Sequence, residues 1–322
     1  MKSIIIYFSQ TGNTKKVAEA ICDDIKATTG QCDIVKIEEA NVREQIGYDL
    51  IGLGCPTFVH REPLNVSRFI NGMEPLKGKY CFVFSTHGGH PGNVLPSMAG
   101  KIRRQGLTVI GGFNCDGSDH YPHYTFPWYT EGHPDDIDLK EAADFGKQMV
   151  ERSLRSRGEK SLVPAFQWLR TGMYLYEPPP KTVKANKPLS RQFDFEMSFD
   201  KEKCRYPRCR LCIDNCPVRA IDLSADPIIF RRGCISCLFC EMLCPTGAIN
   251  IKTDAKSIEH HRKSLLEYCQ RTRYPEFFER AKTELIGNRG TLYRMLVDNV
   301  EIGNSDELYG ETHRRRPRYI KH

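Results

Sequence analysis

No stretch of eighteen apolar residues occurs in the 322-residue chain, so the sequence offers no membrane span. The opening MKSIIIYFSQ turns polar too soon for a secretory signal and reads as a first strand. There is no GxxxxGK[ST], which argues against a nucleoside triphosphate, and no G-x-G-x-x-G after a strand, which removes the signature of a nicotinamide site. Nothing in the sequence marks export, yet eight of its 14 cysteines fall between Cys204 and Cys244. Cysteines that dense, without an export signal, favour metal ligation over disulfides. Hydrophobic residues make up 40% and charged residues 27%, enough for packed cores and against wholesale disorder. The expectation is a soluble cytoplasmic protein of two domains, with a further helical segment.

The first half alternates short apolar runs with amphipathic stretches. Strands are expected at Ile4–Phe8, Asp33–Ile37, Tyr48–Gly54, Tyr80–Ser85 and Leu107–Phe113. Helical patterns run from Thr14 to Gly30, over Leu64–Gly72 and Val94–Gln105, and near Asp136–Arg152. Five strands alternating with helices predict an α/β fold, an open, doubly wound parallel sheet covered on both faces. Ligands of such sheets bind beyond the carboxyl ends of the strands, where the strand order reverses.

The loop Ser9-Gln10-Thr11-Gly12-Asn13-Thr14 joins the first strand to the first helix, where unpaired N–H groups and the helix dipole favour an anion. The hydroxyls of Ser9, Thr11 and Thr14 and the amide of Asn13 add donors for phosphate oxygens, and Gly12 permits close backbone approach. An ordinary capped turn is the competing reading of such a string. This segment resembles flavodoxin, whose phosphate loop has the form [ST]-x-T-G-x-T, and the resemblance extends over residues 1–155. It implies bound FMN, held by Ser9–Thr14 and flanked by two further loops. Those would be Pro56, Thr57, Phe58 and Val59 after Cys55, and Thr86, His87, Gly88 and Gly89. Residues 116–134 depart from the short family pattern. They hold five aromatics and three histidines, and read as a lid, a docking surface or an irregular packed loop. The pairs His87/His90 and His120/His123 do not fix four metal ligands and read as loop residues, at most proton donors.

A proline- and lysine-rich stretch, EPPPKTVKANKP, marks residues 156–197 as a linker. After it comes Cys234-x2-Cys237-x2-Cys240-x3-Cys244-Pro245, a run in which three thiolates reach one iron–sulfur cube and the fourth reaches another. Zinc prefers pairs of ligands and fits this spacing poorly. Cys209, Cys212 and Cys216-Pro217 align with Cys237, Cys240 and Cys244-Pro245 at an offset of 28. Ala220-Ile221 and Ala248-Ile249 share that offset, so the unit reads as a duplication. Cys204 lies five residues before Cys209, a two-residue insertion in the first loop. Residues 198–253 therefore resemble bacterial two-[4Fe–4S] ferredoxins, a small α+β domain. The pattern assigns one cluster to Cys204, Cys209, Cys212 and Cys244 and the other to Cys216, Cys234, Cys237 and Cys240. Cys22, Cys32, Cys55, Cys81, Cys115 and Cys269 are scattered and read as buried small hydrophobes. Residues 254–322 read as a helical extension ending in a basic tail, HRRRPRYIKH.

The formal charge is +7, with the basic excess concentrated after residue 150. Two oxidised clusters and a flavin phosphate would each add about −2, leaving the loaded protein near neutrality and removing the case for nucleic acid. The whole chain is similar to flavodoxin–ferredoxin fusion proteins, which look like low-potential electron carriers of anaerobic metabolism. This resemblance implies electron transfer between two [4Fe–4S] clusters and FMN, linking a ferredoxin-type donor to a larger, multi-subunit redox enzyme. Two alternatives stand beside it: a flavin-dependent reductase of a small molecule, and a redox sensor or assembly factor.

Overall fold

The computed structural model describes residues 1–41, 43–58, 61–88, 91–119, 130, 132–155, 196–224, 229–230 and 234–252. The linker from residue 156, the extension from 254 with its tail, and most of the 116–134 segment lie outside the described residues, as do Val59 and Gly89. The chain divides into two compact units, each taken by itself below. Among the described residues, no helix is long and apolar enough to cross a membrane.

In the N-terminal unit, β1 (Ser3–Tyr7), β2 (Cys32–Lys36), β3 (Leu50–Pro56), β4 (Tyr80–His87) and β5 (Thr108–Asp116) form one parallel sheet in the order β2-β1-β3-β4-β5. Helices α1 (Asn13–Thr29), α2 (Leu64–Gly72), α3 (Val94–Arg104) and α4 (Asp136–Arg155) connect and follow the strands. This is the doubly wound flavodoxin-like arrangement that the sequence pattern predicts, with the order reversing between β1 and β3.

The reasons are local. β1 is buried at all five positions, as a strand covered on both faces must be. Val17, Ala18, Ile21 and Ile25 recur at helical spacing along α1 and meet Ala142, Phe145, Met149 and Val150 of α4 over Ile5, Phe82, Phe84 and Ile110. Each such aliphatic side chain contributes on the order of 2 kcal/mol through burial. Gly146 allows the two helices to approach: a Cβ there would stand 2.9 Å from the carbonyl oxygen of Ile21. Gly30, at φ 84°, ends α1 in a left-handed cap whose N–H donates to the Lys26 carbonyl at 2.8 Å.

Three strands run past the ends read from sequence. Pro56 pairs with Thr86, Thr86 with Cys115, and His87 with Asp116 in the parallel ladder. Cys55, Pro56, Thr86 and His87 thus belong to strand ends rather than to free loops. The neighbouring strands extend equally far and keep the ladder going past the last apolar residue.

The second unit is small. β6 (Glu196–Phe199) pairs antiparallel with β9 (Ile249–Lys252), and β7 (Ile221–Asp222) with β8 (Ile229–Phe230). β6 opens at Glu196, within the end of the segment that composition reads as linker. Two short helices, α5 (Leu211–Asp214) and α6 (Phe239–Leu243), carry the cysteine runs. Their first residues are 28 apart, so the duplication seen in the cysteines continues in the backbone.

Candidate functional site

At the carboxyl edge of the parallel sheet, Gly12 adopts φ 93° and serves as the N-cap of α1. Lacking a side chain, it leaves the first N–H groups of the helix uncapped, and the first turn contains no acid. Ser9 Oγ and Gln10 Nε2 are buried with no hydrogen-bond partner among the described residues. Buried polar atoms without partners are costly, and an anion seated at the helix N-terminus would satisfy them. The loop therefore fits a phosphate group.

Two residues of the same loop act differently from the sequence reading. Thr14 Oγ1 is buried and hydrogen-bonds Thr86 Oγ1 at 2.7 Å, and Asn13 Nδ2 donates to the carbonyl of Ser118 at 3.1 Å. Both brace the loop against the ends of β4 and β5. Gly117 makes the second contact possible, since a Cβ there would lie 3.2 Å from Asn13 Cβ and Nδ2.

The flanking segments converge on the same edge. Thr57 donates its N–H to Thr86 O at 2.8 Å, and Phe58 and Arg61 exchange backbone hydrogen bonds. The Phe58 ring meets Phe8 edge-on with centroids 6.1 Å apart. The buried carboxylate of Glu62 accepts from Ser67 Oγ at 2.7 Å, Ser97 Oγ at 3.1 Å and the Lys101 ammonium, tying α2 to α3.

Sequence reading missed a polar group next to these loops. His87 Nδ1 lies 3.6 Å from Asp116 Oδ1, and Asp116, His133 and Asp138 stand within 4.8 Å of one another. Asp135 caps α4 by accepting the N–H groups of Ile137 and Asp138, while Asp138 Oδ2 accepts the Asp135 N–H at 3.0 Å and faces His133 Nδ1 at 2.5 Å. The hydrogen bond that His133 donates to Asp138 raises the His133 pKa above its ordinary 6.5, against desolvation. The D-x-x-D spacing at 135–138 is a capping-box signal; the partner histidine two residues upstream was not flagged by any motif. Ser118 and Thr130 are pinned together by Thr130 Oγ1 donating to Gly117 O at 2.7 Å and Ser118 N donating to His133 O at 2.9 Å.

In the second unit one cavity is lined by Cys204, Cys209, Cys212 and Cys244, together with Leu211, Leu223 and Ile249. Burial, followed by the neighbouring thiols of Cys244, Cys209 and Cys204, pushes Cys212 up to about 12. Cys240 is likewise raised, by burial and then by Cys237, Cys234, Cys212 and Cys216. Four of the eight thiols thus share one cavity, while Cys240 is acted on by thiols of both halves. Mutual crowding of this kind costs energy in bare thiolates and is relieved by a cationic core.

The backbone of the two halves repeats around the sulfurs. Ala220 N and Ala248 N each donate to the cysteine four residues earlier, Cys216 and Cys244, at 3.2 Å. Tyr206 N donates to Cys204 at 3.5 Å and Ser236 N to Cys234 at 3.4 Å. Cys204 therefore occupies the place in its loop that Cys234 occupies in the other, despite the insertion. The remaining described cysteines, Cys22, Cys32, Cys55, Cys81 and Cys115, are buried. Desolvation pushes the thiols of Cys55, Cys81 and Cys115 up and keeps them in the unreactive protonated form.

These features define a class: a doubly wound domain whose first loop fits a phosphate group, followed by a duplicated, cysteine-rich unit. A model of the flavodoxin domain matches residues 4–119. Flavodoxin from Megasphaera elsdenii is 34% identical over 110 residues, which span 33% of this chain and 80% of that protein. A ferredoxin from Methanothermococcus thermolithotrophicus is 31% identical over 58 residues, 17% of this chain and 97% of that protein. Among solved structures, a flavodoxin from the domain Archaea is 25% identical, covers 48% of this chain and 99% of its own, and gives a TM-score of 0.40. The chain belongs to the flavodoxin family, and its cysteine-rich unit is ferredoxin-like.

Proposed function

We propose that this protein is an iron–sulfur flavoprotein that moves electrons between FMN in its N-terminal unit and two [4Fe–4S] clusters in its second. In this reading it links a low-potential ferredoxin-type donor to a larger redox enzyme of anaerobic metabolism. The observation that carries it is the cavity lined by Cys204, Cys209, Cys212 and Cys244 in a ferredoxin-like unit of a chain that also holds a flavodoxin-family domain.

FMN exchanges one or two electrons and each cluster one, so together they convert between paired and single electrons. The chain's residues supply position and charge. Uncapped N–H groups of α1, with Ser9 Oγ and Gln10 Nε2, would hold the phosphate. Pro56–Phe58 and Thr86–Gly88 would flank the ring system. Cys204, Cys209, Cys212 and Cys244 would hold one cluster, and Cys216, Cys234, Cys237 and Cys240 the other. N–H groups of Tyr206, Ala220, Ser236 and Ala248 donate to four of these sulfurs and would favour the reduced, more negative state.

The test is anaerobic purification with iron, sulfide and FMN quantified, followed by a redox titration. About eight irons and one FMN per chain are expected. A colourless preparation, or a flavin that stays reduced while the iron centres remain oxidised, overturns the reading.

A further inference from the structure

The two halves of the duplicated unit match in their helices and N–H···S bonds but differ in what surrounds the first cysteines. In the second half, Ile235, Leu238 and Phe239 are buried at 3%, 4% and 5% exposure. In the first half, the corresponding loop is two residues longer and reads Cys204-Arg205-Tyr206-Pro207-Arg208-Cys209-Arg210. Its three arginines are exposed, as are Lys201 and Lys203 just before it, and Tyr206 stands 36% exposed among them. Arg205 also lines the cavity formed by Cys204, Cys209, Cys212 and Cys244.

Five exposed basic side chains thus fall within the segment 201–210 that carries Cys204 and Cys209, and one of them, Arg205, lines the cavity. The acids nearby are Asp200, Glu202 and Asp214. Asp200 pairs with Lys203 at 2.9 Å and Asp214 with Arg210 at 3.1 Å, both in solvent, so the loop keeps a positive balance. An exposed tyrosine within an arginine-rich segment is the composition of a protein-docking surface rather than of a plain solvated turn.

We propose that the Lys201–Arg210 loop is the docking face for a small acidic electron-carrier protein, which exchanges electrons with the chain through the group on Cys204, Cys209, Cys212 and Cys244. This rests on the proposed function and adds to it the class of the partner and the place of entry. Each encounter passes one electron: the partner is oxidised and this chain reduced, with no bond made or broken. Opposite charge steers the encounter, and the short insertion brings the partner's surface against the cysteine loop itself.

The test uses the full, anaerobically loaded protein and a chemically reduced ferredoxin of strongly negative net charge as donor, with the transfer rate followed by stopped-flow absorbance. The wild-type rate is expected to fall steeply as ionic strength rises from about 20 mM to about 300 mM. In R208E, whose side chain does not line the cavity, and in R205E/R208E, the low-salt rate is expected to drop about tenfold or more and to lose its salt dependence. Iron content and midpoint potentials of R208E should match the wild type. An unchanged rate in both variants overturns the proposal, as does a loss that follows R314E/R315E/R316E in the basic tail instead. Loss of binding to a short DNA duplex in R208E, with its transfer rate intact, overturns it in favour of a nucleic-acid surface. If the loaded protein holds no iron, the proposed function fails first, and the iron assay separates that result from a docking failure.

Discussion

Gly54 lies in β3 against the ring of Phe84, and a Cβ built there would stand 2.0 Å from Phe84 Cζ. Phe84 is fully buried in the core that the sheet and helices share. Gly54→Ala should therefore destabilise the protein by about 1–3 kcal/mol, read from the guanidinium unfolding midpoint of the full chain. His133 makes a prediction of another kind. Its folded pKa is raised above 6.5 by the hydrogen bond it donates to Asp138. A raised folded pKa contributes stability that is fully present below the unfolded value and is lost as pH rises through the folded one. The melting temperature of the wild type relative to His133→Gln should thus be highest below about pH 6.5 and decline above it. A difference that grows with pH would contradict this assignment of the charge. Neither residue stood out in the sequence. Gly54 looks like any strand glycine, and His133 was one of three histidines in an irregular stretch; each acquires its role from a residue met through the fold.

At the level of elements, the duplicated halves of the cysteine unit provide an internal control. Arg219 and Gly247 are 28 apart, both take positive φ, 49° and 63°, and each donates its N–H to the carbonyl of the preceding cluster cysteine, Cys216 or Cys244. Nothing lies within 4 Å of a Cβ built at Gly247. Gly247→Ala should accordingly cost about 1 kcal/mol through backbone strain alone, measured as a lower unfolding midpoint under anaerobic conditions. Arg219→Gly should not lower that midpoint by a comparable amount. Elements were the most legible level of this protein. α2 runs over Leu64–Gly72, the span predicted from its apolar spacing, and α1 ends at the expected Gly30 cap. Strand ends were less legible. β4 continues to His87 and β5 to Asp116 because a neighbouring strand offers partners there, and hydropathy does not record such pairing.

For the whole molecule, the proposed assignment of the thiols to two clusters predicts a selective loss. Cys204→Ser should remove about four of eight irons while FMN and the other cluster's signal remain, by iron assay and electron paramagnetic resonance. Loss of all eight irons would mean that the groups assemble as one. Charge belongs to this scale as well: the basic excess lies in the part of the chain where thiolate-bound clusters would offset it. By itself the sequence determined the alternating α/β pattern, the phosphate-type loop and the duplicated cysteine spacing. Each of these is written in residues close together, where periodicity and spacing act directly. Tertiary structure alone decided that Thr14 meets Thr86, 72 residues away, and that Asn13 reaches Ser118, 105 residues away. It also brought His133 and Asp138 beside Asp116. Such contacts depend on how parallel strands register across crossover helices, and that register is set by the packing of the entire sheet.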